Sequence, residues 1–347
     1  MITRSGRRIG PGVSLFIIAE AGGNHNGDVD CARRLIEAAA DAEADAVKFQ
    51  TFRADHVATS HAPKAPYQAR ATGTCESQQQ MLRRLELPRA AYGALAKDCR
   101  RRGLVFLSTP FEEDSADFLE ALGIAAFKMP SGELTNLPLL AHVARKGKPM
   151  LVSTGMASLE EVEAAVRTLE QAGNRQLVLL HCVSCYPADP SEANLRAMQT
   201  LADAFHVPVG FSDHTMGCEV ALAAVALGAC VIEKHLTLDR RQPGPDHRSS
   251  LEPGEFAALV QGIRRVESSL GHGRKEPAPR EEETARVARK SLVAARAIRA
   301  GSQLTEESIE IKRPGTGLPP SMRGRLIGRE AVTDIPEGAV LTLEMVR

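Results

Sequence analysis

Eight short segments rich in β-forming residues recur along the first three quarters of the chain. They lie at residues 16–21, 46–50, 105–110, 126–131, 149–155, 177–184, 207–214 and 230–237. Eight strands that alternate with helices over roughly 255 residues are typical of a (β/α)8 barrel. An open, doubly wound sheet is the competing interpretation, but no G-x-G-x-x-G motif follows the first strand. The sequence therefore predicts an α/β fold of the TIM-barrel type.

Helical periodicity fills the intervals between these segments, most clearly at residues 28–43, 158–172, 217–227 and 253–270. Ser158 and Glu161 have the spacing of a capping box, which predicts that a helix begins there. Residues 83–103 predict one helix that is interrupted near Pro88. The stretch before it, residues 56–80, predicts a long loop, and on a barrel such a loop would lie over the active face.

The barrel pattern ends near Leu270, where a polar segment rich in glycine and proline begins. We therefore expect a catalytic barrel at residues 1–270, a linker at 271–284 and a small domain at 285–347. Short strands and turns are predicted in that last part at residues 290–297, 301–304, 309–314 and 326–343. A domain of this size has a modest core and would gain stability by docking onto a larger one.

Charge and composition narrow the choice of partners. The 43 acidic residues balance the 43 basic ones, so nothing in the net charge favours nucleic acid or an anionic membrane. The basic N-terminus lacks the apolar run of a secretory signal, and no apolar run approaches the ~20 residues of a membrane span. Seven scattered cysteines in a chain of 347 residues indicate a reducing cytoplasm. The Cys182–Cys185 pair ends a strand rather than opening a helix, which disfavours a redox motif.

Polar side chains stand at the carboxyl end of every predicted strand. They include Glu20, Asn24, His25, Lys48, Gln50, Ser108, Thr109, Lys128, Ser131, Glu133, Ser153, Thr154, His181, Ser184, Ser212, Asp213, His214, Glu233 and His235. The carboxyl ends of barrel strands converge on one site, so we expect these groups to lie together. Lysines and hydroxyls suit a phosphorylated or carboxylated anion. Two carboxylates of this set, Glu20 and Glu133, are candidates for moving protons or orienting hydroxyls.

Two histidines, His214 and His235, each follow a predicted strand and together offer neutral nitrogen ligands to a divalent metal. Lys128 leaves two interpretations open, because a barrel lysine can form a Schiff base with a carbonyl or serve as a fixed cation for phosphate. The histidine pair favours the second, since a metal can polarise an aldehyde without an imine.

Several motifs at these positions make the chain resemble the sialic acid synthase family, which makes nonulosonic acids from phosphoenolpyruvate and a 2-acetamido hexose. The motifs are Ile-Ala-Glu-Ala-Gly-Gly-Asn-His-Asn-Gly (18–27), Val-Lys-Phe-Gln (47–50), Leu-Ser-Thr-Pro-Phe (107–111), Phe-Lys-Met-Pro-Ser-Gly-Glu (127–133), Ser-Thr-Gly-Met (153–156), His-Cys…Tyr-Pro (181–187), Ser-Asp-His-Thr (212–215) and Pro-Gly-Pro-Asp-His (243–247). The final segment, with Lys-Arg-Pro-Gly-Thr-Gly (312–317), is similar to the antifreeze-like (SAF) domain that closes such synthases.

The resemblance implies a role for each matching residue. Phosphoenolpyruvate would be held by Lys48, Thr109, Lys128, Ser131, Ser153, Ser184 and Ser212. The sugar would contact Gln50, Tyr186, Asp246 and Arg313, and catalysis would rest on Glu20, Lys128, Glu133 and Asp246. His214 and His235 would bind Mn²⁺ or a similar ion such as Mg²⁺ or Co²⁺. Arg313 would come from the small domain of the other subunit, which implies a domain-swapped homodimer.

Two local features imply a particular acceptor. Ser184 stands where sialate-making bacterial members usually have asparagine, and residues 64–68 and 76–81 resemble the legionaminic acid synthase branch. That branch implies 2,4-diacetamido-2,4,6-trideoxymannose as the acceptor. N-acetylmannosamine is the alternative, and its 6-phosphate is a weaker one.

Two other classes of function remain to be weighed against a synthase. A catalytically idle barrel acting as a scaffold has no need of Glu20, Lys48 and the histidine pair. A metal-free aldolase would use Lys128 for a Schiff base, and trapping with borohydride would reveal it.

Overall fold

The computed structural model describes residues 8–10, 12–73 and 75–347. The basic N-terminal residues 1–7, which were weighed above as a secretory signal, lie outside these ranges. The chain divides into two compact units, which we call the barrel unit (Met1–Gly271) and the C-terminal unit (His272–Arg347). No helix in the described ranges combines the length and the apolar character that crossing a bilayer requires.

Eight parallel strands form the barrel. They are β1 (Phe16–Gly22), β2 (Ala46–Thr51), β3 (Val105–Pro110), β4 (Phe127–Met129), β5 (Met150–Ser153), β6 (Leu177–Cys182), β7 (Val209–Asp213) and β8 (Val231–His235). The hydrogen-bonded order runs β3-β2-β1-β8-β7-β6-β5-β4, and β3 and β4 at its two ends lie in contact. The predicted TIM barrel is therefore confirmed.

Thirteen α-helices accompany the strands in the described ranges. They are α1 (Val29–Asp41), α2 (Ala54–Val57), α3 (Pro66–Thr72), α4 (Gln78–Leu85), α5 (Arg89–Arg101), α6 (Glu113–Leu122), α7 (Leu137–Arg145), α8 (Leu159–Gln171), α9 (Ala197–Phe205), α10 (Glu219–Ala226), α11 (Pro253–Leu270), α12 (Glu281–Ala288) and α13 (Arg323–Leu326). The capping box predicted at Ser158 is present, because Ser158 and Glu161 exchange hydrogen bonds with each other's backbone at the start of α8.

The barrel unit has two hydrophobic cores, one inside the barrel and one between the strands and the helices, and alternate side chains of each strand belong to one or the other. Phe16 and Ile18 on β1 join Val231 on β8 in a cluster inside the barrel, while Ile17 and Ile232 pack under the helices. Because side chains of a strand alternate between faces, the next inward positions fall at the carboxyl ends. Those positions carry polar residues, and they build the site described below.

The region after β2 differs from its prediction. The expected loop at 56–80 contains α3 and the start of α4, and the expected single helix at 83–103 is divided between α4 and α5. Ser77 caps α4 through the backbone N–H of Gln80, so the helix begins earlier than its apolar pattern indicates. Proline disfavours helical geometry in the residue before it, so the chain is extended until Pro88, after which α5 begins.

The fourth strand is also shorter than predicted. Residues 126–131 were expected to form a strand, but β4 covers only Phe127–Met129. Pro130 has no N–H to donate to a neighbouring strand, and a 3₁₀ turn at Ser131–Glu133 follows.

The C-terminal unit has a small core of its own. Two antiparallel strands, β9 (Ser291–Ala294) and β10 (Ile309–Lys312), pair with each other, and isolated bridges such as Ile298 with Ile335 and Ala331 with Val346 lie outside them. The strands expected at 301–304 and 326–343 are reduced to such bridges and turns. Helix α12 begins inside the predicted linker. Three consecutive glutamates lie in its first turn, where the positive end of the helix dipole stabilises negative charge.

Candidate active site

A cavity of about 370 Å³ lies at the carboxyl ends of the barrel strands. Fourteen of the residues singled out from the sequence line it: Glu20, Lys48, Gln50, Thr109, Lys128, Ser131, Ser153, Ser184, Tyr186, Ser212, His214, Glu233, His235 and Asp246. The register of the sheet explains this, since Glu20 pairs with Lys48 on one side and with His235 on the other. Residues distant in sequence thus reach one rim of the barrel.

Two buried lysines and two buried carboxylates form the floor of the cavity. The Lys48 ammonium lies 2.7 Å from Glu20 Oε2 and donates to Thr109 Oγ1 at 3.0 Å. Glu233 lies between the lysines, with Oε1 3.4 Å from Lys128 Nζ and Oε2 3.9 Å from Lys48 Nζ. Charges buried this deeply are tolerated when they are paired, so the cluster is a preformed electrostatic site.

The two carboxylates of the floor differ in their affinity for protons. Burial raises the pKa of Glu20 to about 7, against the attraction of Lys48. Burial alone would also raise the pKa of Glu233, but Lys128, Lys48 and the Ser212 hydroxyl outweigh it and lower that pKa to about 2. Glu233 is therefore the permanent anion, whereas Glu20 can exchange a proton near neutral pH.

Serine hydroxyls and a glycine form the adjoining wall. Ser131 Oγ accepts from the Gly155 N–H at 3.0 Å and lies 3.0 Å from Cys182 Sγ. A Cβ on Gly155 would lie 2.3 Å from Ser184 Oγ, so only glycine allows this close approach. Ser153 Oγ is buried with no partner in the described residues, so it is free to bind a ligand.

The two histidines lie side by side, with ring centroids 5.5 Å apart. His214 Nδ1 is 2.7 Å from the Val183 carbonyl, which can only accept, so Nδ1 carries the proton and Nε2 keeps a lone pair. His235 Nδ1 is buried and has no partner among the described residues. Burial lowers the pKa of His214 to about 4 and that of His235 well below its ordinary value, so both imidazoles are neutral.

The segment after β2 supplies the remaining wall of the cavity, which we call the 54–85 wall. Its lining residues are Val57, Ala65, Tyr67, Gln68, Gln78, Met81, Leu82 and Leu85. The Tyr67 ring stacks on Tyr186 at 4.8 Å, and Tyr186 in turn packs on His214 at 4.2 Å. Asp246 also lines the cavity, and burial raises its pKa to about 6.

Eight of the predicted residues do not line the cavity: two with an assigned role, Glu133 and Arg313, and six at the strand ends, Asn24, His25, Ser108, Thr154, His181 and Asp213. Glu133 lies in the 3₁₀ turn after β4, where its carboxylate accepts from the Asn136 side chain at 2.7 Å. Arg313 belongs to the C-terminal unit, where its Nε donates to the Ala288 carbonyl at 3.0 Å. Their catalytic and sugar-binding roles remain predictions.

Sequence reasoning gave no role to several residues of this cavity. Glu233 is the clearest case: it was expected at this rim, on the same face of β8 as His235, but no function was assigned to it. Tyr67 and Met81 lie in the stretches 64–68 and 76–81 that resemble the legionaminic acid synthase branch, but their contact with the cavity depends on the tertiary packing of α3 and α4.

Comparison with known proteins agrees with this geometry. The NeuB family model matches residues 35–275, and the SAF domain model matches residues 289–347. The chain is 46% identical over 328 residues to the N,N'-diacetyllegionaminic acid synthase of Campylobacter jejuni subsp. jejuni serotype O:2, covering 94% of this chain and 98% of that protein. It is 45% identical over 339 residues to the enzyme of the same name from Legionella pneumophila subsp. pneumophila, covering 96% and 95%.

A solved structure shows the same architecture. The N-acetylneuraminic acid (sialic acid) synthetase from Leptospira borgpetersenii serovar Hardjo-bovis, crystallised in complex with citrate, matches with a TM-score of 0.73 and 37% identity. The match covers 82% of this chain and 94% of that one.

Proposed function

Because the chain belongs to the NeuB family and carries a SAF domain, we propose that it is a nonulosonic acid synthase dependent on phosphoenolpyruvate. It condenses phosphoenolpyruvate with 2,4-diacetamido-2,4,6-trideoxymannose and water to give N,N'-diacetyllegionaminate and phosphate. The observation that carries the proposal is the meeting of Lys48 and Lys128 with the neutral His214 and His235 in one cavity. The near full-length similarity to two legionaminic acid synthases supports the choice of acceptor.

The floor of the cavity suits the carboxylate and phosphate of phosphoenolpyruvate. Lys48 and Lys128 supply positive charge, and the hydroxyls of Thr109, Ser131, Ser153 and Ser184 can donate to the anionic oxygens. The hydroxyl of Ser212 lines the same floor and donates to Glu233. When Glu20 is protonated, Glu233 is the one remaining anion beside two lysines. The floor then has a net positive charge, which attracts an anionic ligand. Preorganised charges of this kind stabilise a transition state because they need little rearrangement during the reaction.

The reaction forms one carbon–carbon bond and breaks one carbon–oxygen bond. C3 of phosphoenolpyruvate attacks the aldehyde carbon of the open-chain sugar, and the aldehyde oxygen takes a proton. Water adds at C2, and the resulting tetrahedral intermediate releases phosphate with cleavage of the C2–O bond. Glu20 and Asp246, with pKa values raised by burial to about 7 and about 6, are suited to exchange these protons with sugar or water.

A divalent ion, Mn²⁺ or a similar metal such as Mg²⁺ or Co²⁺, fits the histidine pair. The lone pair on His214 Nε2 and the unpartnered His235 Nδ1 support this assignment, because neutral imidazole is a common ligand of such ions. The described residues hold no cluster of three or more histidine, cysteine or carboxylate ligands, which leaves the remaining positions to substrate and water. A bound ion would polarise a carbonyl oxygen as a Lewis acid.

The metal assignment predicts that His235→Ala weakens Mn²⁺ binding by at least about tenfold and abolishes turnover while the protein stays folded. Calorimetric titration with Mn²⁺ and thermal unfolding measure the two effects separately. His181→Ala is the matched control, since His181 is also a strand histidine but is half-buried and bonds to the Ala193 carbonyl outside the cavity. Normal metal binding and turnover in the His235 variant would remove the ion from this site.

The acceptor is tested by phosphate release from phosphoenolpyruvate in the presence of Mn²⁺, with the mass of the product checked. We expect a higher kcat/KM for 2,4-diacetamido-2,4,6-trideoxymannose than for N-acetylmannosamine. The preference should be at least about 10–100-fold, because a pocket discriminates one substituent to about that extent and the two sugars differ at both C4 and C6. A preference for N-acetylmannosamine would identify an N-acetylneuraminate synthase, and borohydride trapping at Lys128 would instead indicate a Schiff-base aldolase.

The protein functions as a homodimer in the cytoplasm. All seven cysteines lie in the described residues as free thiols, which supports a reducing compartment. The family resemblance supports a domain-swapped dimer, in which the C-terminal unit of one subunit contributes Arg313 to the cavity of its partner.

A further inference from the structure

The 54–85 wall of the cavity differs in chemistry from the floor. The floor carries Lys48, Lys128 and their carboxylate partners, whereas the side chains that the 54–85 wall presents are aliphatic, aromatic or amide. Met81 is fully buried, and Leu82 and Leu85 are half-buried beside it. The cavity therefore has an ionic floor, whereas the side chains of the 54–85 wall that line the cavity are uncharged.

This division assigns the two substrates to different parts of the cavity. Both anionic groups of the proposed reaction belong to phosphoenolpyruvate, and both cationic side chains of the cavity come from strands β2 and β4. The 54–85 wall meets the neutral acceptor instead. A phosphate buried against it would lack a countercharge, and a hydroxyl would lose hydrogen bonds to water without a matched replacement.

Tyr67 holds the central place in this wall. Its ring stacks on Tyr186, which also packs edge-on against His235 at 5.6 Å. The Tyr67 hydroxyl accepts a hydrogen bond from Gln68 Nε2 at 3.3 Å, so its polar end has a partner within the same wall. Tyr186 thus connects the Tyr67 ring to the histidine pair, and both tyrosines line the cavity.

A buried ion pair preforms the segment that carries Tyr67. The Lys64 side chain is only 2% exposed, and its ammonium donates to Thr72 Oγ1 at 2.8 Å and Glu76 Oε1 at 3.1 Å. These contacts span helix α3 from before its first residue to beyond its last. Tyr67 is therefore held in place before a substrate arrives, which reduces the entropy lost on binding.

We propose that Tyr67 is a specificity-determining residue, which with Leu82 and Met81 receives C6 of the acceptor and selects a 6-deoxy sugar over its 6-hydroxy and 6-phosphorylated counterparts. This inference rests on the proposed function and deepens it, because it assigns recognition of one acceptor carbon to named side chains.

The test uses two acceptors that differ only at C6, N-acetylmannosamine and its 6-deoxy analogue. The wild-type enzyme should prefer the 6-deoxy sugar by about 10–100-fold in kcat/KM. Tyr67→Ala should reduce that ratio by about tenfold, with the KM for phosphoenolpyruvate changed by less than about threefold. Tyr67→Phe is the matched control and should keep the wild-type ratio, because it retains the ring and loses only the hydroxyl.

A second variant, with an expected gain of function, keeps the proposal testable if the Tyr67→Ala protein does not fold. Leu82→Gln adds a polar partner to the same wall and should shift the ratio toward N-acetylmannosamine. If both variants lower the rate for the two acceptors equally, the residues are structural and the proposal is overturned. If the wild type shows no preference at C6, the proposal also fails, and the parallel assay with the diacetamido sugar shows separately whether the proposed function survives.

Discussion

At the scale of single residues, the pair Lys234 and Asp213 shows how the barrel orients a candidate metal ligand from behind. Both side chains are 0% exposed, and Lys234 Nζ lies 2.7 Å from Asp213 Oδ2 and donates to the Thr215 carbonyl at 2.5 Å. Asp213 Oδ1 accepts from the Thr215 backbone N–H and hydroxyl. The turn on either side of His214 is thus fixed by a network outside the cavity.

This network predicts a large effect on stability. Lys234→Met should destabilise the protein by about 3–5 kcal/mol, because it leaves the Asp213 carboxylate buried without its countercharge. The double variant Lys234→Met with Asp213→Asn should lose less than the sum of the two single changes. Urea unfolding of the four proteins measures both quantities, and strictly additive losses would show that the two side chains do not interact.

At the scale of elements, the sequence predicts the barrel strands well because their pattern is local. Each strand is a short apolar run closed by polar residues, and alternation assigns Glu20, Lys48 and His235 to one rim. At β4 the predicted strand extends past its observed end. The polar positions beyond Met129 fit the strand pattern of the sequence, although hydrogen bonding between strands stops at Met129. Fourteen of the predicted site residues reach the cavity.

The sequence places the 54–85 wall over the active face but does not predict its helices, because long-range contacts position them. Helix α3 has no buried residue to produce a helical apolar pattern, and only Pro66 and Gln68 mark its start. The place of Tyr67 depends on Tyr186, which lies far along the chain. The position of Glu133 also depends on tertiary detail, since a 3₁₀ turn, and not a continued strand, carries it.

At the scale of the whole molecule, the assignment of Arg313 to the sugar site depends on how two chains assemble. In a swapped dimer, each complete site combines the barrel unit of one subunit with the C-terminal unit of its partner. A subunit with a defective barrel and a subunit lacking Arg313 can then restore one another. A site built within one chain offers no such rescue, since each subunit would keep its own defect.

Co-expression of Arg313→Ala with His235→Ala therefore predicts recovered activity, although each variant alone is inactive. Random pairing makes about half of the dimers mixed, and each mixed dimer holds one intact site of two, so about a quarter of the wild-type activity should return. Arg313→Ala co-expressed with the double variant His235→Ala/Arg313→Ala is the control, because no pairing of those chains contains an intact Arg313. Activity that stays at the level of this control would show that Arg313 serves its own chain or does not act in the site.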